Sequence, residues 1–206
     1  MFEIQLDGAS KRFQFEWIFK NLSFSLSQGN SLAITGSNGS GKSTLLKCVS
    51  GSIPLSSGKI HFKKDENLIS DSEWFSKLSF AAPYMELPEE FRLEELLRFH
   101  FNFKSLLNQI SIEEMIEIMY LTQHKSKPVS YFSSGMKQRL KLGLAFFSDV
   151  PLVLLDEPTS NLDKKGIDWY LELIENFSAN RILLICSNDP REYDFCEQKI
   201  VLEDYK

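Results

Sequence analysis

The run Gly36-Ser37-Asn38-Gly39-Ser40-Gly41-Lys42-Ser43-Thr44 follows the spacing GxxxxGK[ST], and every type in that pattern suits a phosphate ligand. Glycines let the backbone curl until several N–H groups point inward. A helix that begins at Lys42-Ser43 adds the positive end of its dipole. The Lys42 ammonium then reaches the β- and γ-phosphates of a nucleotide, and the Ser43 hydroxyl ligates Mg2+. Far along the chain, Val153-Leu154-Leu155-Asp156-Glu157-Pro158 sets two carboxylates at the carboxyl end of an apolar run. In an open α/β sheet that is the edge where ligands sit. There Asp156 suits Mg2+ held through its waters, and Glu157 suits a base for attacking water. The plainer reading of the pair is a polar strand end entering a turn. It loses ground because the same chain carries the phosphate loop.

Such groups need strands that end at them and a helix that starts from one. Ser31-Leu32-Ala33-Ile34-Thr35 is short, apolar and bounded by glycine, as a buried strand leading into the loop would be. After Ser43, residues Leu45, Leu46 and Val49 share one helical side until Gly51. Before the loop, Phe2–Leu6, Phe13–Trp17 and Leu22–Leu26 alternate as half-wet antiparallel strands, with Asp7-Gly8 as a turn signal and Gln28-Gly29-Asn30 as a break. From Pro88 to Gln123 the period turns helical: Leu93, Leu96 and Leu97, then Ile112, Met115, Ile116 and Met119. Ser111 followed by Glu114 is a capping-box pattern, and Pro128 closes the segment. A helix over Lys137–Phe147, an apolar strand Leu152–Leu155, a helix over Lys165–Asn176 and a strand Ile182–Ile185 follow. The alternation predicts a parallel sheet with helices on both faces.

Composition narrows the classes. The chain has 206 residues, a net charge of −5, 43% hydrophobic and 25% charged residues, which excludes disordered and filamentous chains. Mild acidity argues against a dedicated nucleic-acid binder. Cys48, Cys186 and Cys196 form an odd, scattered set with no CxxC, which suits a reducing compartment. No apolar run approaches the ~20 residues of a membrane span, and the start lacks the marks of a signal peptide. The expectation is a soluble, cytosolic protein.

Tyr131-Phe132-Ser133-Ser134-Gly135-Met136-Lys137-Gln138-Arg139, ahead of the acidic pair, makes a family visible. Phe132–Met136 resembles the LSGGQ signature of ABC-type ATPases, Lys137-Gln138-Arg139 matches the run that follows it, and Ser160-Asn161-Leu162-Asp163 resembles their D-loop. Phe13 sits where that family places an aromatic ring against adenine. The resemblance spans essentially the whole chain, with the motifs in order. It implies an α/β fold: a P-loop NTPase core with a mixed parallel sheet flanked by helices, an N-terminal antiparallel β part and an inserted helical subdomain. The chain is then a single domain over 1–206, with the core in 1–84 and 149–206 and the helical subdomain, carrying the signature, in 85–148. The resemblance also implies ATP and Mg2+ as cofactors, a homodimer or heterodimer of cassettes paired head to tail, and Ser133 and Gly135 facing the γ-phosphate held by the partner. From the residues alone, Ser133-Ser134-Gly135 is a helix cap; a cap's free N–H groups are also what bind an anion.

Two positions depart from the family pattern. After the strand Leu78–Ala82, Pro83 or Tyr84 stands where a glutamine is usual, and neither offers an amide oxygen to Mg2+. Asn188 stands where a histidine polarises the γ-phosphate and attacking water, and an asparagine carries no proton. Ordinary ATP binding and slow hydrolysis are expected. The leading expectation is the ATPase subunit of a membrane transporter, peripheral on the cytoplasmic face, with the membrane-spanning permease on a separate chain. Short length resembles small export-type cassettes such as those of haem-exporter systems. The alternative is a soluble ABC-type ATPase acting as a slow assembly or regulatory switch. Phe91, Phe99, Phe101 and Phe103, near His100, either dock a partner's helix or are core and flank residues of the helical part. Met85–Glu90 has a coupling role or none. His61, His100 and His124 are too scattered for a metal site, Cys48 is expected to be buried, and Lys137, Arg139 and Lys141 read as a solvated helix flank.

Overall fold

The computed structural model describes residues 1–107 and 110–206. Alternating side chains build its first sheet. In β1 (Phe2–Phe13), Phe2, Ile4 and Leu6 turn inward, and β2 (Glu16–Ser27) answers with Phe19, Leu22 and Leu26. The expected layout differs at two points. Asp7-Gly8 is not a turn; β1 runs on through it as an irregularity, with its register against β2 shifting between Leu6 and Ala9. There Gly58 comes so close that a Cβ on it would enter the Gly8 carbonyl, and its φ of 80° leaves the position to glycine. The chain reverses instead at Gln14-Phe15, inside a run that alternates like a strand. Gln14 has φ 52°, Phe13 pairs with Glu16, and Phe15 stands 96% exposed at the tip. A two-residue turn consumes an even number of positions, so the period of two passes through it unbroken.

After β3 (Ser31–Thr35) and α1 (Lys42–Val49), the chain returns to the first sheet as β4 (Ser57–Lys64) and β5 (Asn67–Leu68), giving the antiparallel order β2-β1-β4-β5. The short α2 (Asp71–Trp74) then leads toward β6 (Leu78–Ala81). Sequence reading missed β4, because its Ser-Gly-Lys-Ile-His-Phe-Lys-Lys run buries Phe62 alone.

Three helices, α3 (Leu93–Phe101), α4 (Ile112–Ile118) and α5 (Ser134–Phe147), precede β7 (Leu152–Asp156). Then α6 (Lys164–Phe177), β8 (Ile182–Cys186) and β9 (Gln198–Val201) complete a second sheet of order β6-β7-β8-β3-β9. Its strand pairings are parallel throughout, whereas those of the N-terminal sheet are antiparallel.

This sheet separates two cores by side-chain alternation. Leu32, Ile34, Leu152, Leu154 and Leu184 face α1 and the first sheet, whereas Ala33, Val153, Leu155, Leu183 and Ile185 face α3–α6. Each fully buried aliphatic side chain contributes about 1.5–3 kcal/mol, so β3, β7 and β8, buried on both faces, form a stiff platform. The helical segment shares one core with the platform: Leu93, Leu96, Leu97, Met115 and Ile116 pack in the same cluster as Val153 and Leu155. Ser111 caps α4 as expected, its Oγ accepting the Glu114 N–H at 3.1 Å while the Glu114 carboxylate accepts the Ser111 N–H at 2.8 Å.

The basic residues of α5 are no solvated flank. Lys137 pairs with Glu89, and Lys141 donates to the Pro83 carbonyl at 2.6 Å. The Arg139 guanidinium lies over the rings of Tyr120 and Trp169 at 5.2 and 4.7 Å. Long basic side chains at an apolar boundary bury their stems and bring their heads to carbonyls or ring faces. Among the described residues, no helix is long and apolar enough to cross a membrane.

Candidate active site

The loop Gly36–Thr44 leaves the carboxyl end of β3 and enters α1, as its spacing predicts. Gly41, the residue before the helix, has φ 109°, and a Cβ on it would collide with Ile18 of β2. Glycine is therefore needed both for the turn and for the strand that roofs it. Lys42 is buried and folds back on its own loop, its Nζ donating to the Gly36 carbonyl at 2.6 Å and the Ser37 carbonyl at 3.2 Å. Ser40 Oγ is buried without a partner.

Asp156 ends β7 next to this loop. Its side chain is 2% exposed, and neither carboxylate oxygen has a hydrogen-bond partner. The hydroxyls of Ser43 and Tyr84 face it closely enough to favour its charged form, yet neither closes a bond of ordinary geometry. Burial dominates and pushes its pKa up; Glu157 adds to the rise, while Ser43, Tyr84 and Lys42 oppose it. A buried carboxylate with no protein partner, beside a hydroxyl, matches what a hard divalent cation requires: oxygen ligands and compensating negative charge. Ser43 and Asp156 thus fit Mg2+. Cys186, buried on the adjacent strand, turns its thiol to the Lys42 carbonyl at 3.4 Å.

Glu157 follows in a left-handed conformation, φ 42°, and projects to the surface. Strain of this kind at a non-glycine residue, about 1–3 kcal/mol, needs surroundings that hold it. Here the Glu157 N–H donates to the Cys186 carbonyl at 2.8 Å and the Ser160 N–H to the Glu157 carbonyl at 3.0 Å. Asn188, on the loop after β8, donates from Nδ2 to Asn38 Oδ1 at 2.9 Å, which joins it to the phosphate loop. Lys42, Ser43, Asp156, Glu157, Asn38 and Asn188 are therefore gathered at one end of the parallel sheet.

Other sequence candidates lie apart. Phe13 ends β1 half-exposed, with the Lys11 ammonium 4.9 Å from its ring centroid. Ser133 caps α5, its Oγ accepting the Met136 N–H at 3.2 Å. A Cβ on Gly135 would come within 3.2 Å of the Asn161 carbonyl, so the start of α5 abuts the Ser160–Asp163 loop of its own chain. Among the described residues, no hydrogen bond joins Ser133–Gly135 to Gly36–Thr44.

Two contributors escaped the sequence, Glu203 and Glu192, and the contact made by a third, Gln138, was not foreseen. Glu203 accepts hydrogen bonds from the Ser37 N–H and, at 2.7 Å, from its hydroxyl; those bonds hold its carboxyl below the ordinary glutamate range. Glu192, buried, accepts from the Thr159 N–H at 2.6 Å and from its hydroxyl, fixing the loop after Asp156-Glu157. Gln138 donates to the Pro158 carbonyl at 2.7 Å and ties α5 to that loop. Glu192 carried no signal beyond an ordinary polar residue, Gln138 was read only as part of the run after the signature, and Glu203 lies 166 residues from its partner.

Comparison with known proteins agrees with this geometry. A family model described as ABC transporter matches residues 19–160. The ABC transporter ATP-binding protein YcbN of Bacillus subtilis (strain 168) is 30% identical over 187 residues, covering 90% of this chain and 61% of its own length, so the chain spans under two thirds of that relative. The cytochrome c biogenesis ATP-binding export protein CcmA of Chelativorans sp. (strain BNC1) is 30% identical over 180 residues, covering 85% of this chain and 86% of its own. A dimeric structure of the ATP-binding cassette MJ0796, in a post-hydrolysis state with ADP and Pi, superposes with a TM-score of 0.81 at 21% identity, over 97% of this chain and 94% of that one, and shares the fold. With the matched segment running from β2 through the phosphate loop and the signature to the acidic pair, this chain belongs to the ABC transporter family as an ATP-binding cassette.

Proposed function

We propose that the chain works as one of two cassettes that close around MgATP beneath membrane-spanning subunits carried on separate polypeptides, on the cytoplasmic face. The observation that carries this is the buried, partnerless Asp156 carboxylate beside Ser43 and Lys42. Gly36–Thr44 wrap the phosphates, Lys42 leaves its loop carbonyls for the β- and γ-phosphates, and Phe13 stacks on the adenine. Ser43 and Asp156 hold Mg2+, which when bound neutralises charge on those phosphates. Ser133 and Gly135 at the N-terminus of α5 have no phosphate of their own to meet; they supply the second half of the partner's site.

In hydrolysis a water oxygen bonds to the γ-phosphorus as the bond from that phosphorus to the bridging oxygen breaks. Glu157 takes the water proton. Asn188 orients the γ-phosphate by donating a hydrogen bond but moves no proton, so turnover is slow. An apolar cavity of about 430 Å3 between β6, α3 and α5, lined by Phe80, Met85, Leu87, Phe99 and Phe103, receives a helix of the membrane subunit. Phe91 stacks on Phe99 at 5.3 Å and Phe103 meets Phe99 edge-on at 5.1 Å, leaving Phe99 46% and Phe103 72% exposed at its rim. Phe101 packs against the core instead.

The test is nucleotide retention: wild type holds ATP through gel filtration, and Lys42→Ala loses it. Equal retention by both refutes the assigned grip. Asn188 and Tyr84 favour a second reading, a soluble switch that needs binding more than turnover. Co-purification with a multi-span membrane protein supports transport, and co-purification with soluble partners alone supports the switch.

A further inference from the structure

Tyr84 has two ring contacts and a backbone set in a turn. The Lys47 ammonium, from α1, sits 4.2 Å from its ring centroid, and Phe80 meets the ring edge-on at 6.4 Å and 79°. Its backbone lies in a tight turn, with the Met85 N–H donating to the Ala82 carbonyl at 3.2 Å and Lys141 gripping the adjacent Pro83 carbonyl at 2.6 Å. The residue is 45% exposed, and its hydroxyl faces both the Ser43 hydroxyl and the Asp156 carboxylate. The gap matters: the phenol is near both groups, yet both Asp156 oxygens remain unpartnered.

We propose that Tyr84 is a positioning residue of the metal site, its phenol hydroxyl orienting Asp156 and the water around a Mg2+ held by Ser43 and Asp156. A phenol hydroxyl donates one hydrogen bond and accepts others, so it can give its proton to Asp156 and take one from a metal-bound water. Groups that orient a metal's ligands in this way change metal affinity by about 10–100-fold when removed. The Lys47 and Phe80 contacts favour the ring orientation that brings the hydroxyl to this side. This inference rests on the reading of Ser43 and Asp156 as the metal-holding pair.

The test is Mn2+ affinity, read by electron paramagnetic resonance on the full chain loaded with a non-hydrolysable ATP analogue. Tyr84→Phe keeps the ring beneath Lys47 and removes the hydroxyl alone. The expected result is about tenfold weaker Mn2+ binding, with unchanged affinity for the analogue in EDTA. Unchanged or tighter Mn2+ binding overturns the proposal, the latter because the phenol would then be blocking the site. An equal loss of analogue affinity in EDTA also overturns it, since the hydroxyl would then serve packing. Asp156→Asn is the control that separates the two readings. If it weakens Mn2+ binding and Tyr84→Phe does not, only the Tyr84 role fails; if neither weakens it, the metal-holding pair is wrong and the Tyr84 role falls with it.

Discussion

Asp156→Asn exchanges a buried carboxylate for a neutral amide of nearly the same shape, and the surroundings of the group set the sign of the effect. Both oxygens are enclosed and unpartnered, and burial is the largest influence on the group, ahead of the opposing Ser43, Tyr84 and Lys42. An unsatisfied buried polar group costs about 1–3 kcal/mol, more when charged; the attraction of Lys42 offsets part of that. The amide can donate to the hydroxyl oxygens of Ser43 or Tyr84 that already face it. A net gain of about 1–2 kcal/mol at neutral pH follows, which for a chain of this size raises Tm by about 2–8 °C. The folded pKa of Asp156 is raised, so its carboxyl gives full stability below the unfolded value and loses it as pH rises through the folded value. The advantage of the variant therefore shrinks as pH falls toward the ordinary aspartate range. In ATP and Mg2+ the order reverses. Wild type gains about 2.7 kcal/mol with ligand at 100 times Kd, whereas the variant gains no increment from the metal. Thermal unfolding in EDTA, and again with MgATP, measures both halves. A variant less stable than wild type in EDTA refutes the reasoning, because Asp156 would then have a structural partner.

Asn188→His, which restores a proton-carrying ring beside Asn38, should raise stimulated ATP hydrolysis by about tenfold or more while leaving ATP affinity within about twofold; equal rates count against the role of this position. His100 ties the groove to the end of α5: its Nε2 lies 3.0 Å from Ser148 Oγ, which donates its proton to the Leu144 carbonyl at 2.6 Å, so the ring must be the donor in that pair. Burial, then Lys104, lowers its pKa from 6.5 to about 4. The unfolded chain takes up this proton first, so stability is full above pH ~6.5 and falls toward pH ~4. The loss is at most about 3 kcal/mol and smaller in practice, since the ring keeps some hydration. His100→Gln should flatten that part of the stability–pH curve, and an unchanged curve shows that the ring titrates normally.

The parts of the site that sequence reading found are those whose chemistry is contiguous. Gly36–Thr44 must curl, cap a helix and carry a lysine within nine consecutive residues, so the pattern states the structure. Asp156-Glu157 at the end of Leu152–Leu155 was legible for the same reason, because a continuous apolar run predicts a strand buried on both faces. Tyr84 was visible only as the absence of an amide; that its hydroxyl faces Asp156 depends on the parallel pairing of β6 with β7. Glu203 reaches Ser37 because β9 lies beside β3, a long-range pairing with no local trace. The Asp7-Gly8 irregularity and the Gln14-Phe15 turn were exchanged for a similar reason. Both dipeptides are judged by local preference, while the close approach of Gly58 and the register with β4 decide where β1 bends. Helix α5 begins at Ser134, before its apolar period starts, since its first turn is set by the Ser133 cap.

The proposed mechanism requires two cassettes to close over the same triphosphate. Glu157→Gln keeps the shape of the base and removes its ability to take a proton, so the closed state should persist. Light scattering after gel filtration in ATP and Mg2+ should show this variant at twice the chain's mass of 23.8 kDa, with ATP retained and hydrolysis lost. A monomer that binds ATP and hydrolyses it at the wild-type rate would contradict both the assigned base and the shared site.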